Sequence, residues 1–226
     1  MLTFHYHPLS PIARRVWLAL LEKQIPFEPR LVDLGSRAQL QPAYLAIHPF
    51  HHVPALVEGD LRLIESLAIL DYLEAKFPEP KLSPTEPAAI GQMKMVQLVI
   101  ANELMPKLPA LVLLADAETP TDEATLQHVH TVFNFLAEQL GHAEYFGGDR
   151  LSLADITVGA ALPLTRRMGI HLQEYPTLEQ WCDRVNARPA WQQTEPTDAD
   201  LQAWQRWIAL MVKRHRRQQA KTPAVR

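Results

Sequence analysis

A short segment in the first third of the chain carries groups that could hold a peptide. Val53-Pro54 precedes a run with the pattern of a strand, a Gly-Asp turn and a second strand, and Glu65-Ser66 follows that run. A cis bond before Pro54 would turn the N–H and C=O of Val53 out of the sheet ladder, where an extended ligand could pair with them. The segment therefore predicts a backbone clamp for a peptide.

The residues after this hairpin predict binding sites for the charged ends of such a ligand. The apolar spacing from Leu67 to Leu73 is helical, which predicts Ser66 as the N-cap. A helix N-terminus attracts a carboxylate, and Glu65 could receive an ammonium group. Taken singly, Pro54 could merely shape a turn and Ser66 merely cap a helix, but the ordered combination is more specific.

Composition excludes several classes of partner. The 226 residues are enough for one large domain or two small ones, and the apolar fraction of 47 per cent is typical of a globular protein. With 22 basic and 25 acidic residues the net charge is −3, so neither nucleic acid nor a membrane surface is an expected partner. The sequence predicts no membrane span and no export signal, which favours a cytoplasmic protein.

Cysteine and histidine usage argues against a metal centre. The only cysteine, Cys182, excludes an internal disulfide and a zinc site of thiolates, and its helical surroundings predict a buried, inert thiol. No pair among the ten histidines has the i, i+4 spacing with an intervening Glu that marks a zinc enzyme. We therefore expect no metal.

The order of predicted elements indicates two domains. Strand and helix patterns alternate as βαβα and then ββα in residues 1–79, which predicts a mixed four-stranded sheet covered by helices. Residues 80–87 belong to a proline-rich linker, and 88–226 predict an all-α domain. The expected elements are strands Leu2–Tyr6, Pro29–Val32 and the hairpin, helices Pro11–Lys23, Arg37–Ala46 (weaker) and Ser66 onwards, then helices 88–115, 123–140, 152–168, 176–187 and 198–215.

Local signals refine the helical half. Pro106 and Pro109 should kink or split the first of its helices, because each removes a helical N–H. Ser152 to Asp155 forms a capping box with Asp in the place of the usual Glu or Gln. The basic tail from Lys213 to Arg226 is expected to be a frayed, solvated end.

These features together resemble the cytosolic glutathione S-transferases over nearly the whole chain. The matching residues are Val53-Pro54, Glu65-Ser66, the Gly59-Asp60 turn, the linker and the Ser152–Asp155 capping box. The resemblance implies an α+β, thioredoxin-like N-terminal domain that binds glutathione. It also implies an all-α C-terminal domain with an apolar second-substrate site, and a two-fold homodimer.

The resemblance assigns roles to individual residues. Val53, through cis Pro54, would pair with the cysteinyl part of glutathione, while Glu65 and Ser66 would hold the γ-glutamyl amine and carboxylate. The glycyl end would be contacted by His51 and His52, where imidazoles would make binding pH-sensitive, and more weakly by Gln39. Phe50 matches an aromatic that plugs the partner subunit in several classes, or it anchors its own loop. His48 stands where the family often has Asn.

The family's chemistry needs a thiolate, because a free thiol with a pKa near 8.5 is only a few per cent ionised at neutral pH. Two hydroxyls compete for the role of thiol activator. The run from Ser10 to Val16 resembles the serine-type motif of theta-like and delta-like transferases, and Tyr6 matches the tyrosine of other classes. Ser10 is favoured, with Tyr6 as the alternative. The first domain has no cysteine, so a thiol-based disulfide reductase is not expected.

The expected function is a transferase that adds the glutathione thiolate to a small hydrophobic electrophile, with glutathione as co-substrate and no other cofactor. A non-catalytic ligand-binding or assembly module, and a glutathione-dependent isomerase or dehalogenase, remain open as alternatives. Apolar residues at plausible positions for the second-substrate site are Met93, Met95, Leu98, Met105, Leu108, Leu111 and Trp204 or Trp207.

Overall fold

The first unit of the fold is a mixed four-stranded sheet, as the sequence predicted. The computed structural model describes residues 1–114 and 123–219. Its strands are β1 (Leu2–Tyr6), β2 (Phe27–Leu31), β3 (Ala55–Glu58) and β4 (Leu61–Ile64). They lie in the order β2-β1-β3-β4. β1 is parallel to β2 and antiparallel to β3, and β3 is antiparallel to β4.

The alternation of side chains along β1 decides which face of the sheet carries the core. Leu2 and Phe4 are buried, and Tyr6 stacks on Phe4 with ring centroids 5.1 Å apart. The intervening His5 and the following His7 lie on a different face, because successive strand residues point to opposite sides. β2 begins at Phe27, two residues before the predicted start, because its pairing with β1 extends the ladder to Leu2. Pro29 is tolerated because β2 is an edge strand.

Helices account for most of the remaining chain. They are α1 (Pro11–Glu22), α2 (Pro42–Leu45), α3 (Ser66–Lys76), α4 (Pro87–Val99), α5 (Leu108–Leu114), α6 (Glu123–Leu140), α7 (Leu153–Gly159), α8 (Leu162–Arg167), α9 (Pro176–Asn186), α10 (Pro189–Thr194) and α11 (Asp198–Gln219). Short 3-10 turns cover Ala38–Leu40 and Met105–Lys107, and a π-helical turn covers Ile100–Leu104.

Several predicted helices are divided in the structure. The stretch 88–115 becomes α4, a π-helical turn, a 3-10 turn and α5, because Pro106 and Pro109 cannot donate the backbone hydrogen bonds of a continuous α-helix. The stretch 152–168 becomes α7 and α8, with Pro163 in the first turn of α8. The weak helix predicted for Arg37–Ala46 is a 3-10 turn followed by the four-residue α2. α10 was not predicted.

α1 connects the sheet to the helical half through charged side chains. Arg14 donates from Nε to Thr194 Oγ1 at 3.1 Å and from Nη2 to the carbonyl of Trp191 at 3.2 Å. Near the other end of the helix, Arg188 donates to both carboxylate oxygens of Glu22 at 2.9 and 2.6 Å. These contacts fix both ends of α1 against α10 and the residue that precedes it, Arg188.

The predicted capping box is confirmed at the start of α7. Ser152 donates from its backbone N–H and its hydroxyl to Asp155 Oδ2, at 2.8 and 2.7 Å. Oδ1 of the same carboxylate accepts from the backbone N–H of Phe146 and from the indole of Trp181, at 2.9 and 2.8 Å. The Asp155 carboxylate is fully buried and therefore joins α7, α9 and the preceding loop at one point.

One stretch departs from the expectation of no membrane span. Pro87–Val112 is long and apolar enough to cross a membrane by length and composition alone. It contains buried residues of the helical core, Met93, Val96, Ile100 and Leu104, and the buried amide of Gln97 donates to the carbonyl of Leu153 in α7. These contacts are those of a core helix.

The remaining local predictions concern Cys182 and the basic tail. Cys182 is fully buried in α9, and burial raises the pKa of its thiol to about 12, so it is the inert thiol that was predicted. The tail was predicted to fray from Lys213, but it is helical as far as Gln219, where α11 ends. The rest of the tail lies outside the described residues.

Candidate functional site

A cavity of about 840 Å³ lies at the end of the sheet and collects the residues predicted to hold a peptide. All seven predicted binding residues line it: Gln39, His51, His52, Val53, Pro54, Glu65 and Ser66. They come from the turn before α2, the loop before β3 and the junction of β4 with α3. The topology therefore brings together residues that are up to 27 positions apart, from Gln39 to Ser66.

The Val53–Pro54 segment forms one wall of the cavity. The peptide bond between the two residues is cis. β3 begins only at Ala55, and in the described part of the chain neither the N–H nor the C=O of Val53 has a hydrogen-bond partner. The preceding loop is held in place by Tyr44, whose hydroxyl donates to the carbonyl of His52 at 2.6 Å. An extended peptide could pair with the free backbone groups of Val53.

The junction of β4 and α3 differs from its prediction by one residue. Glu65, not Ser66, occupies the N-cap position, and Ser66 is the first residue of the helix. β4 ends at Ile64, and the chain turns into the helix within one residue through the left-handed backbone of Glu65, whose φ is +67°. The N–H groups of the first turn of α3 lack intrahelical partners beside the cavity that Glu65 and Ser66 line, so a carboxylate can still bind there.

Sequence reasoning missed Arg15, which lies beneath this helix terminus. The side chain is 2% exposed, and Nη1 donates to Ser66 Oγ at 3.3 Å. Within the described residues Nε and Nη2 have no partner. Burial lowers the pKa of Arg15 to about 10, so the guanidinium is still cationic at neutral pH. The residue adds a positive charge to the terminus and holds the Ser66 hydroxyl in place.

Ser10 caps α1 and lines a second cavity. It is the N-cap of α1, where its Oγ accepts from the N–H of Ala13 at 3.2 Å. A hydroxyl that accepts in this way still has its own proton to donate. Ser10 lines a second cavity of about 390 Å³, which shares Ile12, Leu34, Gly35 and Trp207 with the first. Ser10 therefore belongs to the second cavity, two positions before Ile12, which lines both cavities.

Tyr6 is placed differently. Its ring packs on Phe4 and on Trp17, with a centroid distance of 4.9 Å to the latter, so it faces the core side of the sheet. It lines neither cavity. Of the two residues proposed from sequence, Ser10 lines the second cavity, whereas Tyr6 packs on the core side of the sheet.

Family models match both halves of the chain. Residues 4–81 match the glutathione S-transferase N-terminal domain, and residues 99–189 match the corresponding C-terminal domain. Glutathione S-transferase F10 of Arabidopsis thaliana is 34% identical over 204 residues, which cover 83% of this chain and 94% of that protein. The chain belongs to the glutathione S-transferase family.

Other members of the family resemble the chain to a similar degree. A probable maleylacetoacetate isomerase of Vibrio cholerae is 34% identical over 197 residues, covering 83% of this chain and 92% of that protein. Among solved structures, a delta-class transferase of Nilaparvata lugens superimposes with a TM-score of 0.81 at 22% identity, over 93% of this chain and 100% of that one. A glutathione transferase homologue from Sulfitobacter, solved with bound glutathione, superimposes with a TM-score of 0.69 at 28% identity. The superposition covers 85% of this chain and 95% of that one.

Three histidines, His48, His51 and His52, line the first cavity of this transferase-family protein. The rings of His51 and His52 lie 5.3 Å apart, and the ring of His48 lies 5.7 Å from that of His52. His48 is buried, and burial, followed by the neighbouring His52, holds its pKa below the ordinary 6.5. Two further polar groups line the same cavity: the Gln39 side chain, whose buried Oε1 has no partner among the described residues, and Arg37. Sequence reasoning missed Arg37, a cation in the cavity that also contains the predicted glycyl contacts.

The second cavity is mainly apolar and contains some of the predicted lining residues. Met105, Leu108, Trp204 and Trp207 line it, together with Pro109. Met93 and Leu111 are instead buried in the core, whereas Met95 and Leu98 are exposed away from the cavity. The periodicity of apolar residues in the sequence cannot distinguish residues of the protein core from residues that line the cavity, because both kinds are apolar and lie on the same helices. Among the described residues no group of three or more metal-binding side chains is placed to hold an ion.

Proposed function

We propose that the protein is a cytosolic, homodimeric glutathione transferase of the serine type, in which Ser10 activates the glutathione thiol for addition to a small hydrophobic electrophile. Glutathione is the co-substrate, and no other cofactor is required. The observation that carries the proposal is the position of Ser10, whose hydroxyl keeps a proton to donate and which lines the apolar cavity two positions before Ile12, a residue of both cavities.

Glutathione binds in the first cavity with its cysteinyl backbone along Val53. The γ-glutamyl carboxylate lies at the N-terminus of α3, beside Ser66 and above the charge of Arg15, while Glu65 receives the amine. The glycyl carboxylate points toward His51 and His52, with Gln39 and Arg37 nearby. This placement directs the thiol toward Ser10 and the second cavity.

The Ser10 hydroxyl donates a hydrogen bond to the thiolate and stabilises it relative to the thiol. A hydrogen bond of this kind, together with the N-terminus of α1, lowers a thiol pKa by about one to two units, equivalent to about 1.4–2.7 kcal/mol. The thiol proton leaves to water, and the thiolate sulfur then forms a bond to the electrophilic carbon in the apolar cavity. Ser10 itself transfers no proton.

Exposed apolar side chains support the dimer. Phe50 is 59% exposed, Leu61 at the start of β4 is 40% exposed, and Met95 and Leu98 on α4 are 39% and 50% exposed. Exposed apolar side chains mark an interface between subunits where they form one contiguous surface, and the proposed dimer places these residues on such a surface. The Phe50 ring, held edge-on by His48 at 6.2 Å, is the side chain that we propose to enter the partner subunit.

The matched isomerase makes glutathione-dependent isomerisation the second candidate. It uses the same first cavity, so only the second cavity can distinguish the two reactions. Maleylacetoacetate is a dicarboxylate, whereas the described lining of the second cavity contains Asp33 and no Arg or Lys. A carboxylate in that cavity would lack a cationic partner, which favours the conjugation of uncharged electrophiles.

The test compares glutathione conjugation by the wild-type protein with that by Ser10→Ala and Tyr6→Phe variants. Retention on a glutathione column and conjugation of benzyl chloride are expected for the wild type and for Tyr6→Phe. We expect Ser10→Ala to bind glutathione but to lose about eightfold to twenty-five-fold in kcat/KM at pH 7, as the change in the ionised fraction of the thiol requires. An unchanged rate for Ser10→Ala would refute the mechanism. Failure of the wild type to bind glutathione would favour the non-catalytic module, and faster turnover of maleylacetoacetate than of any conjugation substrate would favour the isomerase.

A further inference from the structure

The second cavity contains a polar side chain, that of His7, which has no part in the proposed activation of the glutathione thiol. His7 lies three residues before Ser10 in the turn between β1 and α1, and both residues line the apolar cavity. The backbone carbonyl of His7 accepts the N–H of Ser10 at 3.0 Å, so the two residues share one turn. A ligand bonded to a sulfur atom beside Ser10 would therefore enter the cavity that the imidazole also lines.

One hydrogen bond determines which nitrogen of His7 carries the proton. The backbone N–H of Leu9 donates to His7 Nδ1 at 3.2 Å, so Nδ1 acts as an acceptor. In a neutral imidazole the other nitrogen then carries the hydrogen, which makes Nε2 a donor. Burial, opposed by the carboxylate of Asp33, holds the pKa of His7 below the ordinary 6.5, so the ring is neutral at neutral pH. In the described part of the chain Nε2 has no hydrogen-bond partner.

A neutral imidazole donor in a mainly apolar cavity is suited to polarise an oxygen. Hydrogen bonds to a developing oxyanion are stronger in such a site than in water, and a neutral histidine can act as the electrophile. When a thiolate adds to an α,β-unsaturated carbonyl compound, the negative charge develops on the carbonyl oxygen, three bonds from the attacked carbon. With the sulfur beside Ser10, such an oxygen would lie in the cavity that His7 also lines.

We propose that the Nε2–H of His7 donates a hydrogen bond to a carbonyl oxygen conjugated to the attacked carbon, and thereby makes α,β-unsaturated carbonyl compounds the preferred electrophiles. The inference rests on the proposed transferase function and adds the substrate class. The sulfur–carbon bond forms as the carbon–carbon π bond breaks, and the electron pair passes to the oxygen, giving an enolate. Water then returns to the α-carbon the proton that the thiol released earlier. His7 stays neutral throughout.

Two substitutions test the roles of the two ring nitrogens of His7 separately. In the His7→Asn variant the amide oxygen takes the place of Nδ1 and can accept the Leu9 N–H, as in an Asx turn, but the distal donor is lost. In the His7→Gln variant the amide nitrogen reaches toward the position of Nε2, but the acceptor for Leu9 is lost. A Trp204→Phe variant removes an indole N–H from another wall of the same cavity and serves as the matched control.

The measurement is the ratio of kcat/KM for benzylideneacetone to kcat/KM for benzyl chloride, which has no oxygen, at saturating glutathione. The ratio cancels changes in glutathione binding and in thiol ionisation. We expect it to fall about tenfold to a hundredfold in His7→Asn, as for the loss of one oxyanion donor, and to fall much less in His7→Gln and Trp204→Phe.

An unchanged ratio in His7→Asn would overturn the inference, and so would an equal fall in Trp204→Phe. If the wild type conjugates both electrophiles and the ratio does not respond to His7, only this inference fails. If the wild type conjugates neither electrophile and does not bind glutathione, the proposed function fails as well.

Discussion

Replacing Arg15 by methionine should weaken glutathione binding without destabilising the fold. Methionine is unbranched and adaptable, and it fills the space of the arginine stem. The guanidinium makes one hydrogen bond, to Ser66, and leaves Nε and Nη2 unpartnered among the described residues. Replacing such a buried charge by an apolar side chain is often neutral or stabilising, by up to about 4 kcal/mol. We therefore expect the melting temperature of Arg15→Met to equal or exceed that of the wild type.

The cost in binding follows from the distance between the charges. Ser66 Oγ lies 3.3 Å from Arg15 Nη1, and a carboxylate bound by the hydroxyl lies one hydrogen bond further out. At a separation of about 6 Å and an effective dielectric constant of about 20, the attraction is about 3 kcal/mol. Water that enters the variant's site recovers part of this energy. The dissociation constant for glutathione should therefore rise by about tenfold to a hundredfold.

Calorimetric titration with glutathione measures the effect, and Arg14→Met supplies the matched control. Arg14 is the adjacent buried arginine, but it donates to α10 and lines neither cavity of the site. Its replacement should lower the melting temperature and leave the dissociation constant within twofold. A peptide with 4-aminobutyryl in place of the γ-glutamyl residue lacks the carboxylate and should bind Arg15→Met and the wild type equally. Equal losses of affinity in the two arginine variants, or binding of glutathione by Arg15→Met within twofold of the wild type, would refute the role assigned to Arg15.

Three further predictions concern stability. Asp155→Ala removes four hydrogen bonds and leaves their buried donors without partners. The free energy of unfolding in urea should therefore fall by at least about 3 kcal/mol, against less than about 0.5 kcal/mol for the exposed control Asp149→Ala. Gly159→Ala places a methyl group 2.7 Å from Trp191 Nε1 and should cost about 1–3 kcal/mol in the same assay; a neutral result would mean that α7 and α10 can separate freely. Burial lowers the pKa of His48, so the unfolded chain binds more protons below pH 6.5, and the free energy of unfolding should fall as the pH drops from about 7 to about 5.5. The urea midpoint of His48→Asn should depend less on pH, and an identical slope would contradict the assignment.

Local sequence signals predicted much of the fold and of the site. The Val53–Pro54 segment, the hairpin after it and the Ser152–Asp155 capping box depend on residues within a few positions of one another, and each appears in the structure as predicted. The start of α3 was misplaced by one residue, because the left-handed backbone of Glu65 is rare for a residue other than glycine and has no clear signal in the sequence.

Features that depend on distant contacts were missed. A charged residue in an amphipathic helix is normally expected on the solvent side, and only the packing of α1 against α3 shows that Arg15 is buried beneath Ser66, 51 residues later. α10 is only six residues long and is held by Arg14, 177 residues earlier, through the carbonyl of Trp191. No pattern within either segment reports such a contact.

The pKa of enzyme-bound glutathione tests the role of Ser10 most directly. Ultraviolet difference titration of the thiolate in the wild type, Ser10→Ala and Tyr6→Phe measures the quantity that the hydroxyl is proposed to change. The wild type and Tyr6→Phe should titrate about one to two units below the free thiol value of about 8.5, and Ser10→Ala should titrate close to that value. A titration of Ser10→Ala that matches the wild type, with the shift lost in Tyr6→Phe instead, would contradict the assignment of Ser10 as the group that activates the thiol.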